Sequence, residues 1–303
     1  MSLPPARFKR PTLLIVGCGD IGLRVLALLS GRYRVLALSS SPQRLAALRA
    51  AGALPLAGNL DDLATLTRIG ALADAVLHLA PPPGEGAADP RTRHLVQAMA
   101  LARASGGVRR LKTLVYGSTT GVYGDCGGTL FDETRAVNPG TARARRRVDA
   151  EATLRRFGCQ SGVRVTLLRI PGIYAGDRPG GHPRERLARG TAVLAAADDV
   201  HTNHIHADDL ARACVAALVR GLPQRVVHAC DDTDLLMGDY FDLAADLAGL
   251  PRPPRITRAD AVDKLPPMLL SFMSESRRLA NRRLKQELRV RLRYPTVRDG
   301  LMA

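Results

Sequence analysis

Three glycines near the start of the chain have the spacing of a phosphate-binding loop. Gly17, Gly19 and Gly22 form the pattern G-x-G-x-x-G within "LLIVGCGDIGLRVLALL". In such a loop the first glycine permits a tight turn, the second lets the backbone approach a pyrophosphate, and the third lets a helix pack against a sheet. The motif follows an apolar run and opens a helical one, which favours a dinucleotide site over a glycine-rich turn without a ligand. The predicted contacts in this loop are Gly17, Cys18, Gly19, Asp20, Ile21 and Gly22.

The end of the second apolar run indicates which dinucleotide is preferred. An Asp or Glu there would bond the ribose 2′-hydroxyl of NAD, but "LALSSSPQRL" offers Ser39, Ser40 and Arg44 and no carboxylate. Hydroxyls and a guanidinium suit a 2′-phosphate, so the sequence favours NADP, with NAD as the alternative cofactor. A second interpretation is that Ser41 and Pro42 only start a helix and that Arg44 is solvated. Later apolar runs end at further predicted contacts, which are Asn59, Leu60, Leu79, Ala80 and Pro81.

The stretch "GTARARRRVDAEA", residues 140–152, places four arginines within five positions. It could be a nucleic-acid patch, a solvated helix face or part of an active site. The net charge of +16 and the pI near 10.7 suit a nucleic acid, because clustered cations neutralise phosphates. However, the arginines are spread along the whole chain, aromatic residues make up only 4% and tryptophan is absent. With few rings on which bases could stack, the composition argues against a nucleic-acid partner.

Short apolar runs alternate with longer helical segments from Thr12 onward, which predicts a parallel sheet with crossover helices. We predict an α/β fold, a Rossmann-type doubly wound parallel sheet with a smaller, partly interleaved C-terminal substrate domain. Because the chain becomes rich in Gly and Pro after Ile170, the boundary is placed between residues 1–175 and 176–303. The predicted strands are 12–17, 33–39, 53–58, 74–80, 111–118 and 163–170, and the predicted helices are 20–30, 42–51, 61–69, 90–106 and 140–158.

No apolar run is long enough to span a bilayer, and "MSLPPARFKR" lacks the apolar core of a signal peptide. The sequence therefore predicts a cytoplasmic location and no membrane partner. The five cysteines lack C-x-x-C spacing, which indicates free thiols rather than a disulfide framework or a zinc site.

The stretch "YGSTTGVYGD" resembles the hydroxyl-bearing strand of the extended short-chain dehydrogenase/reductases, the NAD-dependent epimerase/dehydratase family. The resemblance extends through "GCGDIG", "GNLDD", "HLAPP", "LLRIPGIYAGDR", "NHIHADDLARA" and the C-terminal "SRRLANRRLKQELRVRLRYPTVRDGL", and it is strongest to the atypical, YeeZ-like branch. It implies a Rossmann core, a bound nicotinamide dinucleotide touched also by Pro171, a C-terminal substrate domain and a homodimer through the helices of the core.

The family's chemistry, as the resemblance implies it, needs a Ser or Thr and a Tyr-x-x-x-Lys. The hydroxyl position falls on Thr119, the tyrosine position on Arg143 and the lysine position on Arg147. An arginine keeps its proton at neutral pH, so Arg143 cannot be the general acid/base. It would instead suit an anionic group near the nicotinamide, while Arg147 would bind the cofactor's ribose or a phosphate. Alternatively both arginines only cover a helix surface, as we expect of the solvated Arg145 and Arg146.

Other residues could supply a proton, but none is favoured. Tyr116 and Tyr123 lie in or beside the hydroxyl strand, and the Val-Tyr-Gly that contains Tyr123 is structural in the family that the chain resembles. Asp132 and Glu133 are interpreted as exposed loop carboxylates.

The stretch "HTNHIHADDL" gathers three histidines and two aspartates. It is interpreted as a strand followed by a helix whose first turn is capped by an aspartate, rather than as a metal site. Two of the histidines would share one face of that strand and border the substrate pocket. The histidines are His201, His204 and His206, and the aspartates are Asp208 and Asp209.

The leading hypothesis is an NADP-preferring oxidoreductase, or an epimerase/dehydratase-like protein, in which Arg replaces the usual Tyr and Lys. Its substrate would be an unidentified small molecule, with an anionic group as one option. The alternative is a catalytically inactive NAD(P)H-binding sensor or scaffold module.

Overall fold

A computed structural model describes residues 10–67, 69–104 and 111–303 of the chain. Its longer strands are rich in Leu, Val and Ile, as parallel strands covered on both faces require. The strands of the described chain are β1 Thr12–Val16, β2 Arg34–Ser39, β3 Leu54–Ala57, β4 Ala75–His78, β5 Thr113–Thr119, β6 Leu130–Phe131, β7 Arg164–Ile170, β8 Gly172–Tyr174, β9 Val193–Leu194, β10 His201–Thr202, β11 His204–His206, β12 Arg225–His228, β13 Leu235–Leu236, β14 Arg255–Ile256 and β15 Arg278–Leu279.

The central sheet is parallel, and in the described residues its seven strands follow the order β12-β7-β5-β4-β1-β2-β3. The strand order reverses between β1 and β4, and this switch point is where an open α/β sheet leaves a crevice at the carboxyl ends of its strands. Successive residues of β1 point to opposite faces, so Leu13 and Ile15 pack into one core layer and Leu14 and Val16 into the other. The predicted α/β fold of Rossmann type is therefore confirmed.

Helices cover both faces of this sheet. On one face α1 packs against α6, and on the other α3 packs against α4. None of the helices in the described part of the chain is both long enough and apolar enough to cross a membrane. The bounds are α1 Asp20–Leu28, α2 Gln43–Ala50, α3 Pro90–Ala104, α4 Ala142–Ser161, α5 Arg184–Ala188, α6 Ala207–Arg220, α7 Met237–Ala248, α8 Arg258–Lys264, α9 Pro267–Phe272, α10 Arg282–Gln286 and α11 Val297–Leu301.

The chain returns to the central sheet after leaving it at Ile170. Helix α6 and strand β12 add a helix and an edge strand to the Rossmann layers, and the sequence prediction contained neither β12 nor this return. The segments on either side of them form a smaller core around Tyr174, Val193, Phe241 and Val297. The part of the chain after Ile170 thus contributes both to the Rossmann sheet and its helices and to the smaller core.

The predicted helix 61–69 is wrong. Within the described residues, two short 3₁₀ turns, Leu63–Leu66 and Ile69–Ala71, occupy this segment. Polar side chains bind the local backbone, since the Thr65 hydroxyl donates to the Asp62 carbonyl at 2.7 Å and the Asp62 carboxylate accepts from the Ala64 N–H. Such local bonds compete with an α-helical ladder. At the end of the predicted helix 90–106, residues 105 and 106 lie outside the described residues.

Candidate functional site

The glycine loop joins β1 to α1 at the switch point of the sheet. Gly17 has a φ of +84°, and a Cβ there would lie 2.3 Å from the backbone nitrogen of Ala80, so only glycine fits. A Cβ on Gly19 would meet no protein atom within 4 Å. Gly19 is also the N-cap of α1, and in the described chain no side chain caps this helix. The Gly19 N–H donates to the Gly17 carbonyl at 2.8 Å, so it is the first turn of α1 that presents uncapped N–H groups to an open space, the arrangement that holds an anion.

Two adjoining cavities lie in front of this loop. The first cavity, of about 540 Å³, is bounded by the glycine loop, the end of β5 and the start of α4. The second cavity, of about 990 Å³, extends from there toward α5, α7 and α9. Both are lined by Thr119, Arg143, Pro171, Ile173 and Arg178. The sequence-predicted site residues that line the first cavity are Gly17, Gly19, Asp20, Ile21, Gly22, Leu79, Pro81, Thr119, Arg143, Arg147 and Pro171.

The other predicted cofactor contacts line neither of these cavities. The Arg44 guanidinium reaches from α2 to the loop and donates to the Cys18 carbonyl at 2.7 Å. Ser39 ends β2, and its hydroxyl oxygen accepts the Ser41 N–H at 3.2 Å. The members of this group are Cys18, Ser39, Ser40, Arg44, Asn59, Leu60 and Ala80.

Arg143 and Arg147, which the sequence predicts for the tyrosine and lysine positions, both line the first cavity, Arg143 as an exposed residue and Arg147 as a half-buried one. Arg147 donates through one nitrogen to the Tyr116 hydroxyl and the Gly117 carbonyl, each at 2.9 Å. Arg143 makes no hydrogen bond among the described residues, and its guanidinium lies 5.1 Å above the Phe272 ring. Although Arg143 is exposed as a residue, partial desolvation of its guanidinium by the cavity wall and the charge of Arg147 lower its pKa. Arg147 is thus fixed on β5, whereas Arg143 keeps its donors free.

Arg146 is buried, which corrects the prediction that it is solvated. It lines the first cavity, its exposed fraction is 6%, and it donates to the Gly86 carbonyl at 2.6 Å. Arg145, by contrast, is exposed as predicted. The helix explains the error, because Arg146 lies three residues after Arg143 and therefore shares its face, a spacing that was available in the sequence.

Three buried polar side chains beside Thr119 are joined by hydrogen bonds through the Glu151 carboxylate. The Ser118 hydroxyl donates to Glu151 at 2.6 Å, and Arg169 binds both oxygens of the same carboxylate at 3.1 and 2.7 Å. All three side chains are at least 95% buried, so the Glu151–Arg169 ion pair lies in a low-dielectric interior. Next to Ser118, the Thr119 oxygen accepts the Gly121 N–H at 3.3 Å, which leaves its own O–H to donate into the cavity. Sequence reasoning missed Ser118, Glu151 and Arg178 as parts of this site.

Neither tyrosine beside the hydroxyl strand is poised to exchange a proton. Burial raises the pKa of Tyr116 to about 12 and that of Tyr123 to about 12, and both are fully enclosed. The Tyr123 hydroxyl lies 2.6 Å from His228 Nε2, away from both cavities. Glu133 is buried rather than exposed, since its carboxylate accepts the His228 N–H, while Asp132 remains at the surface.

The histidine stretch forms β11 and the start of α6. His204 lines the second cavity and stacks on Tyr240 with ring centroids 4.2 Å apart, whereas His206 lines neither described cavity. The prediction of an aspartate cap is wrong, because the His206 side chain accepts the Asp208 N–H at 3.2 Å. The Asp209 carboxylate instead accepts backbone N–H groups of the C-terminal segment.

Asp231, whose N–H donates to the His204 carbonyl, should make stability fall as the pH rises. Burial raises its pKa to about 7, so the folded chain favours the neutral acid. The stabilisation of the folded chain by protonation of this carboxyl is complete below the unfolded pKa near 4 and is lost as the pH rises through 7. Asp231→Asn should therefore stabilise the chain by about 2–4 kcal/mol at pH 8 and by much less at pH 4. Urea unfolding at both pH values measures this; equal gains at both would contradict it.

Comparisons with known proteins agree with this geometry. Residues 13–230 match the model of the NAD dependent epimerase/dehydratase family. A functionally unknown conserved protein from Silicibacter pomeroyi is 33% identical over 96% of both chains, with a TM-score of 0.79. A search of curated proteins gave no match.

Two more distant structures share the fold. UDP-glucose 4-epimerase from Thermotoga maritima, solved with UDP-glucose, is 19% identical over 96% of both chains, with a TM-score of 0.76. A dTDP-glucose 4,6-dehydratase from Streptomyces venezuelae is 21% identical over 96% of this chain and 94% of its own, with a TM-score of 0.74. Because the family model covers most of the chain, the predicted family is confirmed. The chain belongs to the NAD-dependent epimerase/dehydratase family.

Proposed function

We propose that this chain is an NAD(P)-dependent oxidoreductase, or an epimerase/dehydratase-like enzyme, in which Arg143 and Arg147 replace the usual tyrosine and lysine. The observation that carries the proposal is that the glycine loop, Thr119 and both arginines face one cavity. The division into a dinucleotide domain, residues 1–175, and a substrate domain, residues 176–303, belongs to the same proposal. The second cavity, which leads toward the C-terminal segments, would then take the substrate.

The loop fits a dinucleotide. The free start of α1 and the open space at Gly19 leave room for a pyrophosphate, and Arg147 faces the same cavity as a ribose or phosphate ligand. The dehydratase of the same fold from Streptomyces venezuelae was solved with NAD. When bound, such a cofactor donates or accepts a hydride. We favour NADP because Arg44 reaches over the loop and no carboxylate ends β2.

Three residues of the cleft have separate roles in this proposal. Thr119 donates its O–H to a substrate oxygen, and Arg147 stays cationic beside the cofactor's ribose. Arg143 cannot carry a proton back and forth, so it binds and orients an anionic group of the substrate. The proton that accompanies hydride transfer therefore comes from the solvent or from the substrate itself.

Calorimetric titration tests the cofactor preference. We expect micromolar binding of NADPH that is tighter than that of NADH, because Arg44 can pair with the 2′-phosphate. Arg44→Ala should weaken NADPH binding by about 10-fold or more and leave NADH nearly unchanged. Arg49→Ala, an exposed arginine on the same helix, is the matched control and should have little effect. Tighter NADH binding would refute the preference, and binding of neither would refute the proposed function.

The second candidate is an NAD(P)H-binding sensor or scaffold without turnover. The observation that favours it is Arg143, since no proton-exchanging side chain occupies the tyrosine position. Oxidation of bound NADPH, followed by absorbance, separates the two candidates when sugar nucleotides, carbonyl compounds and quinones are offered. An oxidoreductase oxidises the cofactor with one of these classes, and an epimerase or dehydratase converts an offered sugar nucleotide, as chromatography of the products shows, without net change in the cofactor. A sensor binds the cofactor and does neither across the panel.

A further inference from the structure

Arg146 is a buried cation on the wall of the first cavity. Its Nε has no hydrogen-bond partner in the described part of the chain, and its only hydrogen bond there is the one to the Gly86 carbonyl. A charge that is 94% buried without a counter-ion is costly, and a bound group of opposite charge would remove that cost. The position of the side chain along the cavity makes such a group accessible to it.

Arg146 is one of three arginines that we call the arginine cluster, Arg143, Arg146 and Arg147. Residues at i, i+3 and i+4 lie on one face of a helix, and all three line the first cavity. The charges of Arg147 and Arg146 both act to lower the pKa of Arg143, so the three guanidinium groups repel one another. The family resemblance accounts for the positions of Arg143 and Arg147 only, and leaves Arg146 unexplained.

Of the three carboxylates that line the two cavities, two are paired with arginines, and Glu185 on α5 has no ion pair among the described residues. Asp20, which lines the same cavity, bonds Arg24 and Arg178. Glu275, which lines the second cavity, is paired with Arg277. Within the described residues, no carboxylate lies within 4 Å of the arginine cluster. Glu275 acts on the charge of Arg143 from beyond 4 Å, but no carboxylate of the described residues is paired with the cluster at the junction with the substrate cavity.

We infer that the arginine cluster binds a dianionic oxyanion group of the substrate, a phosphate monoester or a pair of carboxylates, beside Thr119. The inference deepens the proposed function and rests on it, because the cluster faces the cavity assigned to the cofactor and borders the one assigned to the substrate. Guanidinium groups bind such oxyanions through charged N–H donors. The cluster offers the free donors of Arg143 and the unpartnered Nε of Arg146, beside the positive charge of Arg147. The dinucleotide's own pyrophosphate would lie on the opposite wall, at the glycine loop.

Calorimetric titration of small anions into the NADP⁺-saturated protein at pH 8 tests the inference. The probes are methyl phosphate and malonate, which are dianions, and methyl sulfate, a monoanion of the shape of methyl phosphate. We expect one dianion to bind at least about 10-fold more tightly than methyl sulfate. Arg146→Met should weaken the binding of that dianion by about 10-fold or more, because a buried charge-assisted hydrogen bond is lost. Arg145→Met removes the same charge from the exposed side of α4 and should change binding by less than about twofold.

The dianion that binds more tightly, methyl phosphate or malonate, identifies the chemical group that the cluster prefers. The inference is overturned if neither dianion binds, if methyl sulfate binds equally well, or if Arg145→Met weakens binding as much as Arg146→Met. Far-UV circular dichroism and the urea unfolding midpoint show that each variant is folded, and Arg146→Lys, which keeps the charge without the fork, should give an intermediate loss. If the wild-type protein binds no NADP⁺ or NAD⁺, the proposed function fails, and titration without cofactor still decides whether the arginine cluster is an anion site.

Discussion

Replacement of Gly19 by alanine is expected to weaken dinucleotide binding by at least about 100-fold while leaving the chain folded. A Cβ at this position would meet no protein atom within 4 Å, so the folded chain has room for it. Its φ of −84° is open to alanine, and we expect a change in unfolding free energy below about 1 kcal/mol. The added methyl group would instead occupy the space in which a pyrophosphate contacts the backbone. Calorimetric titration with NADPH and urea unfolding measure the two effects separately.

Two other glycines provide the controls. A Cβ on Gly176 would also meet no atom within 4 Å, and Gly176 lines neither cavity, so Gly176→Ala should change neither binding nor stability. Gly17→Ala should reduce both, because its Cβ would collide with the backbone of Ala80 at the end of β4. Normal NADPH affinity in Gly19→Ala would show that the glycine loop is not the pyrophosphate site.

Replacement of Glu151 by alanine should destabilise the chain by about 3–5 kcal/mol. Glu151 accepts hydrogen bonds from Ser118 and from two nitrogens of Arg169, and its removal leaves the Arg169 charge in the interior without a counter-ion. Breaking a buried pair from one side costs far more than the pair itself contributes, because the remaining charge stays desolvated. Urea unfolding at pH 7 gives the change in free energy.

The same experiment on an exposed pair is the control. Asp246 and Arg252 form a similar two-point contact with side chains 50% and 62% exposed, so Asp246→Ala should lower the free energy of unfolding far less than Glu151→Ala does. The double variant Glu151→Leu with Arg169→Met should recover part of the stability lost in Glu151→Ala, because it removes both buried charges. A cost below about 1 kcal/mol for Glu151→Ala would mean that water reaches Arg169.

Much of the sheet could be predicted because its strands are local signals. Six strands of the central sheet are short apolar runs bounded by polar or glycine residues, and each predicted run contains or nearly contains the observed strand. The strand β12, with only the four residues "RVVH", was missed because its burial comes from pairing with β7 rather than from its own composition. The same holds for the 3₁₀ turns near residue 65, where side-chain bonds override an apparently helical run.

The site residues that belong to a local sequence motif could be predicted, and those whose role depends on being buried could not. The glycine loop and Thr119 are recognisable from neighbouring residues alone. The burial of Glu133 and Glu151 depends on segments far along the chain or across the sheet, and a charged residue gives no sign of burial in its own sequence. The position of Arg146 on the face of Arg143, by contrast, follows from the helical spacing. The cap of α6 by His206 was missed for a related reason, because aspartates are the usual capping residues and histidine is not.

The late return of α6 and β12 to the sheet sets the order in which the protein can be completed during synthesis. A ribosome releases the glycine loop and β7 early, but β12 follows only after the first half of the smaller core has emerged. Until then the outer edge of β7 has unpaired backbone groups, and the face of α1 that α6 covers is bare. The nascent chain therefore exposes a strand edge and an apolar helix face for longer than a protein with separate sequential domains would, and a chaperone that binds such surfaces would act in this interval.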